Sequence, residues 1–174
     1  MNDVENYRTL SVARKILSLR TTFHITDSNG QIRYECSQVF AWFNPPWTLS
    51  HNGVQMAVFK RKIWSLAPTW EVKTNAAHFL LRGKLFSLRR RILIEGGDFD
   101  GAELVGNLFD MRFKLSFNEK TISEAKAKVL TMRERHEAIL FEDSPQVELL
   151  TAILMSCLLI QKSVSENDNQ AGSG

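Results

Sequence analysis

The pattern of hydrophobic and polar positions divides the chain into short alternating segments and one continuous apolar segment near the C-terminus. Over residues 147–160, eleven of fourteen residues are apolar, and the polar exceptions do not align on one side of a helix: Glu148, Thr151 and Ser156. Asp143 or Ser144 can cap the start of this helix, and Pro145 suits its first turn. The pattern predicts a helix over residues 144–162 that other parts of the protein surround. Crossing a bilayer takes about 20 apolar residues, so we predict no transmembrane segment.

The chain before this helix has the alternating pattern of short β-strands. Turn signals interrupt it at Asp27–Gly30, Asn44–Pro46, Asn52–Gly53, Gly96–Gly97, Gly101 and Asn118–Lys120. Residues 11–142 have room for about ten to twelve strands of ordinary length. Residues 1–10 are predicted to be a loose lead-in, and the polar residues 163–174 a disordered tail.

A repeated unit supports the strand assignment. Copies that read lysine, two apolar residues, serine and leucine begin at Lys15, Lys62 and Lys84, and a degenerate copy begins at Lys128. The residues eight and ten positions after each lysine form one pair per copy: Phe23 and Ile25, Trp70 and Val72, Ile92 and Ile94, His136 and Ala138. Each unit predicts a strand, a tight turn near its leucine, and a returning strand whose alternate residues face the core. The fourth copy favours strands for residues 121–135, whose composition also suits a helix.

Many strands with one apolar face each, and one helix that is apolar nearly all round, fit together as a closed barrel with the helix inside. A barrel of about eight strands is filled by its own side chains, so a barrel that encloses a helix needs roughly eleven or more. We therefore predict a mainly β fold: one domain over residues 11–162, built as a closed antiparallel barrel of about twelve strands around one central hydrophobic C-terminal helix.

Three motifs that precede the helix carry a resemblance to a known family. They read KIWSLAPTWEV over residues 62–72, IEGGDFDG over residues 94–101 and GNLFD over residues 106–110. Their order resembles the LURP-one-related family, which is grouped with the tubby C-terminal domain and the phospholipid scramblases, and the resemblance covers about residues 12–162. It implies a roughly twelve-stranded antiparallel barrel around a C-terminal helix.

On function, the resemblance implies less. Tubby domains are associated with phosphoinositide headgroups and with transcription, and scramblases with lipid translocation. The chain lacks the proline-rich N-terminal region, the cysteine cluster and the acidic calcium-binding loop of scramblases, so scramblase activity is not expected. A tubby-type phosphoinositide site does not align residue by residue.

Composition narrows the functional classes. The net charge of +3, from 22 basic and 19 acidic residues, is far below the bias of a dedicated nucleic-acid binder. The two cysteines give no disulfide framework, and the N-terminus does not resemble a signal peptide, which favours a cytoplasmic location. No nucleophile elbow, phosphate-binding loop or dinucleotide fingerprint is present, and the histidines lack metal-ligand spacing. We expect no enzymatic activity, no cofactor and no metal.

Basic residues recur beside the repeats and form a candidate anion site: Lys60, Arg61, Lys84, Arg89, Arg90 and Arg91. Guanidinium and ammonium groups on neighbouring strands could hold a phosphate. With Ile92 and Ile94 inward, Arg89 and Arg91 project outward. The alternative interpretation, which we favour, is that these residues form a solvated exterior that keeps the barrel soluble.

The aromatic segment Phe40–Trp47 is a second candidate site. Trp42, Phe43 and Trp47 flank a Pro-Pro loop and could contact a protein partner or the membrane interface. The favoured interpretation is that the rings plug one end of the barrel.

Two functional hypotheses follow. The first is a monomeric, non-enzymatic binding domain for phosphoinositide or other anionic phospholipid headgroups at a membrane surface. The alternative is a protein–protein interaction module in defence or transcriptional regulation that uses the loop around Trp42 and Trp47.

Overall fold

The computed structural model describes residues 7–15, 22–84, 90–107, 110–128 and 135–171. Within these residues, twelve strands form a closed barrel in which every strand pairs antiparallel with its neighbours along the chain, and β1 pairs with β12. The strands and the one helix are β1 Arg8–Lys15, β2 Thr22–Thr26, β3 Ile32–Gln38, β4 Trp47–His51, β5 Val54–Lys62, β6 Thr69–Thr74, β7 His78–Lys84, β8 Arg90–Glu95, β9 Glu103–Asn107, β10 Arg112–Phe117, β11 Lys120–Lys128, β12 Arg135–Leu140 and α1 Pro145–Ala171. The predicted fold class is confirmed.

Helix α1 runs through the barrel and forms the centre of the core. Every residue from Val147 to Ile160 is buried except Leu149, which is partly buried. By length and composition alone Pro145–Val164 could cross a membrane, but 72% of its most apolar window is buried inside the barrel. Burial on all sides explains why the segment has no polar face, because every side of the helix meets the inward side chains of a strand.

Both predicted ends of the domain need correction. The helix continues to Ala171, nine residues beyond the predicted end at Lys162, so residues 163–171 are not a disordered tail. Once a helix is nucleated, adding a residue costs little, and polar residues can extend it beyond its packed part. At the other end, β1 begins at Arg8, inside the predicted lead-in, and pairs with β12 as far as Leu140.

The four repeats are four hairpins with one common register. In each, the repeat lysine lies opposite the residue seven positions later: Lys15 opposite Thr22, Lys62 opposite Thr69, Lys84 opposite Arg91, and Lys128 opposite Arg135. The paired positions named from the sequence are buried in all four copies: Phe23, Ile25, Trp70, Val72, Ile92, Ile94, His136 and Ala138. In the second copy the chain reverses around the leucine, as predicted, but through a loop over residues 63–68 and not through a tight turn, because β5 ends at Lys62 and β6 begins at Thr69. The corresponding residues of the other copies lie outside the described part.

Because neighbouring strands are antiparallel, all odd-numbered strands end at the same end of the barrel, where the even-numbered strands begin. The last two residues of the odd-numbered strands and the first two of the even-numbered strands include ten cations and no carboxylate: Arg14, Lys15, Arg61, Lys62, Lys84, Arg90, Arg91, Arg112, Lys128 and Arg135. We call this the basic end. Helix α1 starts at the opposite end and finishes here, because it follows the even-numbered strand β12.

The opposite end has the reverse charge. The loops that connect each even-numbered strand to the next element lie within the described residues and carry six acidic and no basic residues: Asp27, Asp98, Asp100, Glu119, Glu142 and Asp143. We call this the acidic end. The strand ends at this end add two carboxylates, Glu95 and Glu103, and four cations, Arg8, Arg33, Lys73 and Lys120. With eight carboxylates and four cations, the acidic end has an excess of negative charge, so the modest net charge of the chain conceals a charge separation along the barrel axis.

Candidate functional site

Two loops at the basic end present large apolar side chains to solvent. The β3–β4 loop exposes Phe40 (82%), Trp42 (98%) and Phe43 (73%), and the β5–β6 loop exposes Trp64 (95%) and Leu66 (97%). Exposed apolar clusters of this kind mark interaction surfaces in soluble proteins. The interpretation of the β3–β4 rings as a plug of the barrel end is wrong for these three residues.

The bases of the two loops are held in place. In the β3–β4 loop, the Val39 N–H donates to the Pro46 carbonyl oxygen at 2.9 Å. In the β5–β6 loop, the Gly83 N–H of β7 donates to the Pro68 carbonyl oxygen at 2.8 Å, and a Cβ at Gly83 would lie 3.2 Å from that oxygen. The Asn44 side chain of the first loop donates a hydrogen bond to the Arg61 carbonyl oxygen at the end of β5. The tips are therefore exposed on anchored loops.

A cavity of about 790 Å³ opens between these loops and residues 160–164 of α1. Its floor includes Trp47, Trp70 and Ile160, and Arg61 and Lys62 lie in its wall. The remaining lining residues are Gln38, Asn44, Pro45, Ile63, Ser65, Leu66, Ala67, Pro68, Ser163 and Val164. We call it the end cavity. An apolar floor with two cations in the wall suits an amphiphilic anion.

The cations of β5 reach solvent. Ala57 and Phe59 point into the barrel, and Arg61 continues this alternation at the mouth, where the wall ends and the side chain is exposed. Among the described residues, no ion pair involves Lys60, Arg61 or Lys62. These charges are available to an external anion.

The structure does not gather the six predicted anion-site residues in one place. Lys60 and Arg61 are on β5, whereas Arg91 is on β8, three strands away, or about 14 Å across the wall. Arg91 is exposed, as predicted, and its Nη1 lies 3.4 Å from Glu103 Oε2. Lys84 and Arg90 are strand residues at the basic end whose side chains are not described, and Arg89 lies outside the described residues. The cations that line the end cavity are Arg61 and Lys62, and the sequence-based set omitted Lys62.

Trp47, predicted as a partner-binding residue, is buried. Its exposed fraction is 6%, and its ring stacks on Phe23 with 5.6 Å between centroids. Phe59 and Trp70 form a second aromatic pair in the same part of the core, with centroids 6.0 Å apart. Trp47 is therefore unsuited to direct contact with a protein partner, and the exposed tryptophan that sequence reasoning missed is Trp64. Trp64 belongs to an apolar run before Pro68, and from the sequence this run resembles the continuation of a strand.

A separate polar cluster fixes α1 at the acidic end. Glu148 is 3% exposed, and its Oε1 accepts hydrogen bonds from Arg33 Nη2 at 2.9 Å and from the Tyr34 hydroxyl at 3.0 Å. Arg8 Nη1 lies 3.1 Å from the other carboxylate oxygen and 2.9 Å from Asp143 Oδ1. Burial and the nearby Glu148 carboxylate raise the pKa of Tyr34 well above its usual value. Every partner belongs to the barrel or to the helix start, so the cluster holds the helix in position.

The core contains two buried thiols, one on a strand and one on the central helix. Burial raises the pKa of Cys36, on β3, to about 12, although a hydrogen bond with Ser156 acts in the opposite direction. Burial also raises the pKa of Cys157, on α1, and the neighbouring Cys36 adds to the effect. Both thiols are free. At neutral pH they are protonated and enclosed, and therefore poor nucleophiles.

The described residues contain no group of three or more histidine, cysteine or acidic side chains that could hold a metal ion. The aspartates that follow the two glycines belong to a turn, where Asp100 Oδ1 accepts a hydrogen bond from the Gly96 N–H at 2.7 Å.

The fold and site define a class: a closed antiparallel barrel filled by its own C-terminal helix, with a basic, aromatic-rich end. The chain matches the LURP-one-related family over residues 8–151, and it belongs to that family. Neither a curated protein nor a solved structure matches the chain.

Proposed function

We propose that this protein is a non-enzymatic binding module for anionic phospholipid headgroups and that the end cavity is its headgroup site. The observation that carries the proposal is the position of Arg61 and Lys62, in the wall of an open cavity with an apolar floor. A phosphate-bearing headgroup offers oxygens for the cations, and the C–H groups of its glycerol backbone can contact the aromatic rings of the floor.

The charge distribution supports the same ligand class. The backbone places ten cationic residues at the strand ends of the basic end, two of which line the cavity, and the acidic loops lie at the opposite end. An anionic membrane surface attracts basic groups by about 1 kcal/mol for each lysine or arginine close to it. A protein with a mild net charge can bind such a surface when its cations lie at one end.

A matched pair of double variants tests this proposal. Arg61→Ala/Lys62→Ala removes the two cavity cations, and Lys73→Ala/Lys120→Ala removes two cations from strand ends at the acidic end. Both lower the net charge from +3 to +1, because each removes two positive charges. Co-sedimentation at low salt with vesicles of phosphatidylcholine, alone or mixed with phosphatidylserine or a phosphoinositide, measures binding.

We expect the wild type and the acidic-end variant to pellet with anionic vesicles but not with neutral ones, and the cavity variant to lose at least about tenfold in affinity. Added salt should weaken binding, since exposed charges are screened over about 8 Å at physiological ionic strength. Equal pelleting with neutral and anionic vesicles overturns the proposal. Equal losses in the two variants would mean that net charge, and not the end cavity, sets the affinity.

The second candidate function is a protein-interaction module. The exposure of Trp42 and Phe43 favours it, because exposed aromatic residues also anchor protein interfaces. The charges around these rings favour the lipid surface, and binding of the wild type to none of the vesicles would favour the protein partner.

A further inference from the structure

We propose that the β3–β4 and β5–β6 loops form an insertion wedge that enters the interfacial layer of an anionic bilayer, so that the barrel docks through one side of its basic end. This inference rests on the proposed function and adds the docking surface and its orientation. The wedge consists of the exposed side chains of Phe40, Trp42, Phe43, Trp64 and Leu66.

Exposed apolar surface is concentrated at this end. Of the eleven large apolar side chains that are exposed in the described residues, eight lie in these two loops or at the neighbouring end of α1: Val39, Phe40, Trp42, Phe43, Ile63, Trp64, Leu66 and Val164. Large apolar side chains are unfavourable in water unless a partner or a membrane covers them. Because most of these side chains lie on two adjacent loops, they can be covered at one contact surface.

The identity of the two most exposed aromatic residues points to a bilayer. Trp42 and Trp64 are tryptophans, the residue type that concentrates at membrane–water interfaces because its ring is apolar and its N–H can hydrogen-bond. Lys60, Arg61 and Lys62 lie directly before the second loop, at the level where lipid phosphates would meet them. The tryptophans at the loop tips and the cations at the base of the second loop follow the order of layers in an anionic membrane, from the acyl boundary to the lipid phosphates.

The wedge is held together before it meets a membrane. The Asn44 side chain donates to the carbonyl oxygen of Arg61 at 2.8 Å, which ties the β3–β4 loop to the end of β5, next to the start of the β5–β6 loop. With the loop bases anchored as well, little conformational entropy remains to be lost on insertion. The end cavity lies between the loops, so insertion of the tips brings its mouth to the headgroups.

The wedge lies on one side of the barrel mouth. Its loops join β3 to β4 and β5 to β6, four adjacent strands of the twelve, while α1 leaves through the same end and continues to Ala171. The docked barrel therefore tilts toward the β3–β6 side and leaves the helix extension beside the contact.

Fluorescence quenching by brominated lipids tests insertion, because the four tryptophans form two matched pairs. Trp42 and Trp64 are at the loop tips, and Trp47 and Trp70 are buried at the cavity floor. Brominated phosphatidylcholine mixed with phosphatidylserine should quench part of the wild-type emission. In Trp42→Phe/Trp64→Phe, the remaining emission from the buried pair should resist quenching.

Affinity supplies the second readout. Trp42→Ala/Trp64→Ala should bind the same vesicles about tenfold more weakly. Its thermal unfolding should match the wild type, because both side chains are exposed and support no core contact. Binding of a soluble glycerophospho-headgroup at the end cavity should remain unchanged.

The failures of the two proposals are distinguishable. If the tip variants bind vesicles like the wild type and no tryptophan is quenched, insertion is wrong while headgroup binding stands. If Arg61→Ala/Lys62→Ala binds like the wild type but the tip variants do not, the headgroup site is wrong. Wild-type protein that binds neither vesicles nor the soluble headgroup overturns both proposals, and the exposed loops then belong to a protein interface.

Discussion

The Tyr34 hydroxyl donates a hydrogen bond to Glu148 Oε1 across 3.0 Å, joining the barrel wall to the first turn of the central helix. The same carboxylate receives Arg33 and Arg8, so three side chains from β1 and β3 converge on one helical residue. This cluster joins the start of the helix to the barrel wall through charged groups, whereas most of the remaining buried helix surface is apolar.

Tyr34→Phe should lower the free energy of unfolding by about 2 kcal/mol, since it removes a hydrogen bond to a buried charged group. Tyr7→Phe is the control, because Tyr7 is the other tyrosine of the chain and is exposed. Urea unfolding of the two variants measures the difference. Equal stabilities would show that the Tyr34 hydroxyl contributes nothing to the fold.

Glu148→Gln should lower the free energy of unfolding by about 2–3 kcal/mol. This loss is at or below the low end for breaking a buried ion pair, because the arginines are partly exposed and water can solvate them. Combined with Tyr34→Phe in a double-mutant cycle, it should cost less than the sum of the single changes. Additive losses would mean that the two side chains act independently.

Thr151→Val should raise the free energy of unfolding by about 1 kcal/mol. Thr151 Oγ1 is buried and has no hydrogen-bond partner in the described residues, so valine removes an unsatisfied group without leaving a cavity. Thr74→Val is the control with the opposite sign, because Thr74 Oγ1 accepts the Ala77 N–H at 2.9 Å. A loss of stability in Thr151→Val would contradict the prediction.

The two cysteines should resist thiol reagents in the native protein at pH 7 to 8. Burial raises the pKa of both thiols, that of Cys36 to about 12, so the reactive thiolate is scarce and enclosed. Absorbance after addition of an aromatic disulfide reagent should show two slow equivalents whose rate rises with denaturant. One equivalent that reacts at once in native buffer would contradict the burial of that thiol.

The helix extension gives a prediction about affinity. Residues 165–174 carry two acidic side chains, Glu166 and Asp168, and no basic ones, and the backbone through Ala171 lies at the basic end. Glu166→Gln/Asp168→Asn should strengthen binding to anionic vesicles by up to about fivefold for each charge removed.

The matched control for the helix extension is Asp98→Asn/Glu119→Gln, which makes the same charge change at the acidic end and should have little effect. Equal gains in both variants would attribute the effect to net charge alone.

The sequence predicted the barrel and its central helix because both depend on periodicity. Alternation places Ile92 and Ile94 inward, and an apolar run without a polar face has to be enclosed. The common register of the repeats follows from the same signal. The repeat lysines end odd-numbered strands, and antiparallel pairing places all such ends together. The spacing of these lysines and the strand directions are therefore sufficient to locate the basic end.

The site was less predictable, because exposure in a loop depends on where its tip points. Trp42 and Trp47 are five positions apart in one aromatic segment, yet one is in solvent and the other is in the core. The difference arises from strand β4, which begins at Trp47 and carries its side chain inward. Likewise, residues 63–66 have the composition of a strand. They are assigned to a loop only because the pairing between β5 and β6 ends at Lys62.

The charge separation along the barrel also acts before any contact. A body with cations at one end and carboxylates at the other experiences a torque in the field of a negatively charged surface. The protein should therefore turn its wedge toward the bilayer while still in solution, within about a Debye length of the surface. A larger share of collisions would then be productive, so ionic strength should change the association rate more than the dissociation rate.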